Sequence, residues 1–314
     1  MNMRSKILLL AILFLIAAGD CGRAETVVDQ AGRRIAVERP FVRIISLYPA
    51  HTENLVSLGL DREIIGIADG DDYPPEILSR RHYSYREDPE KFIAARPDLV
   101  LVRPMIERSY PHLIEKLEQA GIVVVSLQPN GVGEIMAYWR ELGVLTGRED
   151  AAEKMIGAFQ RELAQLGKVV ETIPPERRKR VYFEAIHGKM KTFAPQSIAM
   201  FVLEQAGGVN AATDAEQVRA TNIAAYGKER ILARAAEIDV YLAQQGRMNP
   251  VERATIYAEP GYGAIKAVRE EEVYLVDEQL VSRPTLRILE GVRVIIDILY
   301  PGLRKNEGVS SDAD

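Results

Sequence analysis

The sequence predicts an α/β protein: two α/β lobes with parallel-rich sheets, joined by one long α-helix. Three patterns predict it. Short apolar runs alternate with helical segments up to about residue 147, an amphipathic stretch of some 23 residues follows, and the same alternation resumes beyond Pro174-Pro175. The 314 residues are 47% hydrophobic and 27% charged, a globular composition able to bury one large core or two modest ones.

Residues 1–24 have the pattern of a signal peptide. Arg4 and Lys6 precede an unbroken apolar run, Ile7 to Ala18, about half the ~20 residues needed to span a bilayer. Gly22 and Ala24 are the small pair a signal peptidase accepts, so Glu25 is the expected mature start and the periplasm the expected location. Lipid anchoring at Cys21 is the alternative, disfavoured because the residue before it, Asp20, is charged where a lipidated cysteine is normally preceded by a small neutral residue. Removal of 1–24 takes away Arg4, Lys6, Arg23 and Asp20, moving the net charge from −5 to −7.

Residues 25–147 read as the N-terminal lobe. A small hairpin around Asp29-Gln30-Ala31-Gly32 comes first. Strands then follow at 42–47, 64–68, 99–102 and 123–127, with helices at 52–58, 89–95 and 111–120 between them. Short links between strand and helix imply parallel strands with helices on both faces. A further amphipathic segment carries Ile135, Met136, Leu142 and the only tryptophan, Trp139, which reads as a packing residue. In the linking segment, 148–175, Ala152, Ile156, Phe159, Leu163, Leu166 and Val170 recur at spacings of three and four, one buried stripe of a helix ~34 Å long. Residues 176–302 read as the second lobe, with strands at 181–185, 238–243 and 273–276 and helices near 195–206, 227–236, 260–269 and 284–299. Residues 303–314 form a polar tail.

Composition excludes some functions. Forty Lys+Arg against 45 Asp+Glu leave no uniform basic field for nucleic acid or anionic lipid. One cysteine allows neither an internal disulfide nor a thiolate metal cluster.

The segment Arg43-Ile-Ile-Ser-Leu-Tyr-Pro-Ala-His-Thr-Glu53, with Asp72-Tyr-Pro-Pro75 and Ala95-Arg-Pro-Asp-Leu-Val-Leu101, resembles the single-helix-hinge (class III) periplasmic binding proteins. Ala206-Gly-Gly-Val-Asn210, Gly227-Lys-Glu-Arg-Ile-Leu232 and Ser282-Arg-Pro-Thr-Leu-Arg287 continue the likeness, which covers about residues 26–301. The resemblance implies a monomeric, extracytoplasmic solute-binding protein, with no cofactor and no covalent chemistry. It would carry an iron complex (siderophore or haem) or a corrinoid to the permease of an ABC importer. It also implies a ligand between the lobes, at the carboxyl ends of the strands, and a small closure about the helix. Glu53 and Glu229 match carboxylates that in this family project from the tops of the two lobes and meet arginines of the permease. The alternative is that each is an ordinary carboxylate near a helix start.

The loops expected to line the cleft carry Tyr48, His51, Asp72, Tyr73, Tyr85, Arg86 and Arg103 from the first lobe. From the second come His187, Lys189, Asn222 and Arg283. Aromatic rings suit a macrocycle or catecholate, and Arg86, Arg103, Lys189 and Arg283 suit an anionic chelate. Asp72, Tyr73 and Arg283 can equally be loop-shaping or salt-bridging residues. His51, His82 and His187, with Asp71 and Asp72, raise a free transition-metal ion as a second possibility, although no close-spaced histidine pair exists; His112 reads as a surface residue. Tyr48 or Tyr85 could serve as an axial ligand to haem iron. A hydrolase is the rival from another class. Its only sketchable nucleophile and base are Ser46 or Ser84 beside His51, and no nucleophile elbow, phosphate loop or zinc-protease helix is present.

Overall fold

The computed structural model describes residues 25–129, 131–218 and 221–303; the expected signal peptide, Cys21 and nearly all of the polar tail lie outside them. The chain begins with an antiparallel hairpin, β1 (Glu25–Val28) and β2 (Arg34–Val37). Asp29 fixes it. Its carboxylate accepts hydrogen bonds from the backbone N–H groups of Ala31, Arg33 and Ser126 and from the Arg33 guanidinium, tying the turn to the end of a sheet strand.

The first lobe is built from β3 (Ile44–Ser46), α1 (Pro49–Ser57), β4 (Ile64–Ala68), β5 (Arg81–Tyr83), α2 (Pro89–Ala95) and β6 (Leu99–Val102). It continues through α3 (Pro104–Ser109), α4 (Pro111–Gln119), β7 (Val123–Ser126) and α5 (Val132–Thr146). The sheet runs β5-β4-β3-β6-β7 and is parallel throughout. Both its faces are apolar. Leu99 and Leu101 of β6 enter one core cluster while Val100 and Val102 enter another, the period of two expected of a strand covered on each side.

Helix α6 (Glu149–Glu171) follows α5 after one turn, in which Gly147 takes a left-handed φ of 63° and Pro40 occupies the space a Cβ would need. It is an unbroken helix of 23 residues. Ala152, Met155, Ile156, Phe159, Leu166, Val169 and Val170 are buried along it; Leu163 is only half-buried.

The second lobe comprises β8 (Arg180–Ile186), β9 (Lys191–Phe193), α7 (Ile198–Gln205), β10 (Val209–Asn210), β11 (Glu216–Gln217), β12 (Ile223–Ala225) and α8 (Lys228–Ala233). After these come β13 (Val240–Gln245), α9 (Arg253–Ala258), α10 (Lys266–Arg269), β14 (Val273–Asp277), α11 (Glu278–Val281) and α12 (Ile288–Leu299). Its sheet is mixed. β10, β8, β13 and β14 are parallel neighbours, whereas β9, β12 and β11 form an antiparallel edge.

The three parallel strands expected here are present, and so are the four expected in the first lobe. Strands β5, β9, β10, β11 and β12 were not expected, because two or three residues are too few to establish a period. Helix α1 starts at Pro49 rather than at 52, since proline suits the first helical position and brings His51 and Glu53 into the opening turns. Helix α12 starts at Ile288 rather than 284, after Arg283-Pro284. The single helix expected at 260–269 is a 3₁₀ turn (Tyr262–Ala264) followed by α10.

One apolar cluster runs from Val27 through Trp139, Phe159 and Leu166 to Val202 and Ile296, so α6 belongs to the cores of both lobes. Trp139 is fully buried and meets Phe159 edge to face, with centroids 5.2 Å apart, which bears out its packing role. Among the described residues no helix is long and apolar enough to cross a membrane. Phe159→Ala removes the ring that locks α6 to α5 and is expected to lower unfolding free energy by about 3–5 kcal/mol. Urea unfolding checks it; a loss below about 1 kcal/mol would show that α6 is not held by this contact.

Candidate functional site

The carboxyl ends of the parallel strands in both sheets lead into loops that meet along one seam. Arg283, in the loop after α11, places Nη1 2.7 Å from Glu53 Oε1 and 2.8 Å from Asp72 Oδ1. Its Nη2 lies 3.3 Å from Asp72 Oδ2, to which Gln279 also donates at 2.6 Å. Asn54 Nδ2 donates to the Pro284 carbonyl at 2.9 Å. The Arg287 guanidinium lies 4.4 Å over the Tyr73 ring. Gly70 and Gly131 allow close approach: a Cβ on either would fall 2.3 Å from Arg247 Nη1 or 2.7 Å from the Gln196 carbonyl.

On the first lobe an aromatic and cationic wall follows the strand ends. The Arg103 guanidinium sits 5.1 Å over the ring of Tyr48, and burial raises the pKa of that phenol. Tyr85 packs on Tyr110 with centroids 4.7 Å apart, and exposed Arg86 donates to the Tyr110 hydroxyl at 3.2 Å. Tyr110 was not singled out from sequence, because it lies at a junction of two helices with no strand-end signal.

Four expected site residues lie differently from the sequence reading. His51 does not face the cleft: it is fully buried, Nδ1 2.7 Å from the Tyr138 hydroxyl and Nε2 3.0 Å from the Val102 carbonyl. Burial lowers its pKa to about 4, so it is neutral at pH 7. The early start of α1 turns it inward. Arg283 and Asp72 are engaged with each other across the seam rather than free for a ligand, as their salt-bridging alternative had it. Glu53 is not an exposed carboxylate at a lobe top; it is 4% exposed, and burial raises its pKa against the opposing pull of Arg283. Glu229, in the first turn of α8, is exposed.

Tyr73 is exposed at the rim, Lys189 is exposed in the 3₁₀ turn after β8, and Asn222 is half-buried, its carbonyl accepting from the Ala194 N–H at 2.9 Å. His187, 8% exposed, is locked from below. Its N–H donates to Asn249 Oδ1 at 2.9 Å, and its Nδ1 lies 2.8 Å from the buried Glu184 carboxylate, which also accepts from the Tyr241 hydroxyl. That hydrogen bond to Glu184 raises the imidazole pKa, opposing burial.

These histidines do not converge. His82 is exposed beside the Leu78 carbonyl, His112 is exposed, and among the described residues no group of three His, Cys, Asp or Glu side chains could hold a metal ion. The sketched hydrolase pair does not form either, because Ser46 Oγ donates to the Tyr48 carbonyl at 3.1 Å and both nitrogens of His51 are engaged.

A family model described as "Periplasmic binding protein" matches residues 44–280. An uncharacterised ABC-transporter substrate-binding lipoprotein of Bacillus subtilis is 25% identical over 279 residues, 88% of this chain and 85% of the relative. The vitamin B12-binding protein of Vibrio cholerae is 25% identical over 263 residues, 83% of this chain and 90% of the relative. Among solved structures, a possible iron-binding (periplasmic solute-binding) protein from Staphylococcus epidermidis superposes with a TM-score of 0.71 at 26% identity, covering 83% of this chain and 100% of that one.

Asp71 lies between these groups at 7% exposure; Oδ2 accepts from the Ala68 N–H at 2.6 Å and the Thr52 hydroxyl at 3.1 Å, while Oδ1 is buried without a partner. Burial raises its pKa from 3.8 to about 7. The folded chain therefore holds a proton that the unfolded chain has released, and this group's contribution to stability falls as pH rises from about 4 through about 7. Asp71→Asn should remove that fall and stabilise the protein at pH 8 by on the order of 2 kcal/mol, read from urea midpoints across pH. An unchanged pH slope would show that Asp71 ionises normally.

Proposed function

The chain belongs to the periplasmic binding protein family, and from that premise we propose that it is an extracytoplasmic carrier for an iron complex (siderophore or haem) or a corrinoid. It would hold its cargo between the lobes and deliver it to the permease of an ABC importer. The observation that carries this reading is the meeting of both sets of strand-end loops along one seam, bridged by Arg283 to Glu53 and Asp72. The vitamin B12-binding relative and the possible iron-binding neighbour support these cargo classes, and the relative described as an ABC-transporter substrate-binding lipoprotein supports the carrier role.

In this reading Tyr48, Tyr85 and Tyr110 offer flat apolar contact, and Arg86 and Arg103 offer charge to an anionic chelate. His187, Lys189 and Asn222 would face them from the second lobe. The site binds and releases without covalent chemistry. Glu53 and Glu229 are the proposed permease contacts, one on each lobe.

Titration of tyrosine fluorescence and absorption against a ferric hydroxamate, haemin, cobalamin and divalent metal salts should show sub-micromolar binding, below about −8 kcal/mol, for one chelate or corrinoid class only. Tight binding of bare metal salts alone would overturn the reading. Arg103→Ala should weaken an anionic chelate roughly tenfold and cobalamin far less. Equal losses would remove the charge argument. Glu229→Ala should leave cargo affinity within about twofold and sharply reduce uptake, because its carboxylate is exposed. Uptake at the unaltered rate would remove Glu229 from docking.

A further inference from the structure

The carboxylate proposed for docking is the same one that holds the lobes together. Glu53 lies with Oε1 on Arg283, 2.7 Å away, and 4.0 Å from Arg287 Nη1, while its Oε2 is buried with no hydrogen-bond partner. Only the Thr285 hydroxyl adds to the groups favouring its charged form. Beside it the seam opens into a cavity of about 260 Å³ lined from both lobes, including Glu53, Tyr73, Glu76, Thr285, Leu286 and Arg287.

Glu53 lines the cavity while its Oε2 is buried and unpaired, and Glu76 adds a second carboxylate. A guanidinium arriving there meets an oxygen it can complete in bidentate geometry, with the Tyr73 ring beside it. Bidentate pairing with an incoming guanidinium would use Oε1 as well as Oε2, and Oε1 is held by Arg283, so that complex forms only by exchange. What Arg283 would keep is Asp72, whose side chain is 42% exposed; Glu53 is 3% exposed. A pair that open to water costs little to break, whereas losing one partner of a desolvated pair leaves an uncompensated buried charge. The Glu53 side of the bridge is the one that secures the seam.

We propose that the seam cavity is the entry point for a guanidinium of the permease, and that this group takes Glu53 from Arg283, so that docking and lobe opening are a single equilibrium. This rests on the docking reading of Glu53 given above. The ligand-free chain is self-latched, and the partner's cation is the competitor that unlatches it.

The test uses the ligand-free chain carrying Cys21→Ser and spin labels at exposed Lys91 and Arg269, one on each lobe, with the inter-label distance read by pulsed electron resonance. N-acetyl-arginine amide serves as the guanidinium probe and sodium chloride at equal ionic strength as its control. The probe should shift the distribution to longer distances where sodium chloride does not. Arg283→Ala should reach the longer distances without probe, and Glu53→Gln should do the same and no longer respond. Asp72→Asn, which alters only the half-exposed partner, should shift part of the population. Wild-type distances in Arg283→Ala, or an undiminished probe response in Glu53→Gln, would overturn the exchange and leave the docking reading standing. Full uptake by Glu53→Gln, with Arg283→Ala still open, would overturn the docking reading and the exchange with it, leaving only an inter-lobe latch.

Discussion

The helix from Glu149 to Glu171 is the constraint on which the rest depends, because it is packed into both cores rather than strung between them. Bending a continuous helix breaks successive backbone hydrogen bonds, whereas a loop crossing bends by rotating a few torsions. Phe159 packs against Trp139 on one side and Val170 lies close to Gly207 on the other, so the helix is fastened to both lobes. Such a strut opposes wide excursions of one lobe against the other. A handful of contacts at the seam is then enough to decide between one position and another.

Those contacts are ionic, and their weight follows from burial. Arg283 is shared by two carboxylates of the opposite lobe, one desolvated and one largely in water. Losing one partner of the first strands a desolvated charge and is costly, whereas the second is screened by water. In the proposed docking Glu53 would combine two demands that pull against each other, since a latch wants a buried charge and a docking point wants an accessible one. The cavity that Glu53 lines is where the two would be reconciled.

Two buried histidines show how partner chemistry sets charge. His51 is surrounded by a phenol and a carbonyl, neutral groups that compensate nothing, so burial holds it unprotonated. His187 faces the Glu184 carboxylate, and a charge partner at hydrogen-bond distance outweighs burial. The first is part of the frame that carries α1. The second lies on a strand-end turn, its ring orientation set by the carboxylate below it.

Periodicity and turn residues alone marked the two α/β halves, the linking helix and seven of the parallel strands, because each of those strands lies in a largely apolar run of at least four residues. The segments around Glu53, Asp72 and Ser282-Arg283-Pro284 also marked where the lobes would matter. Only the tertiary structure decided what those residues do. His51 turned into the core, Glu53 became buried, Arg283 spent its charge on two carboxylates more than 200 positions away, and Tyr110 joined Tyr85. The reason is physical: helix and strand follow from interactions within a few residues, whereas burial and the partner of a charge depend on which distant surface closes over it.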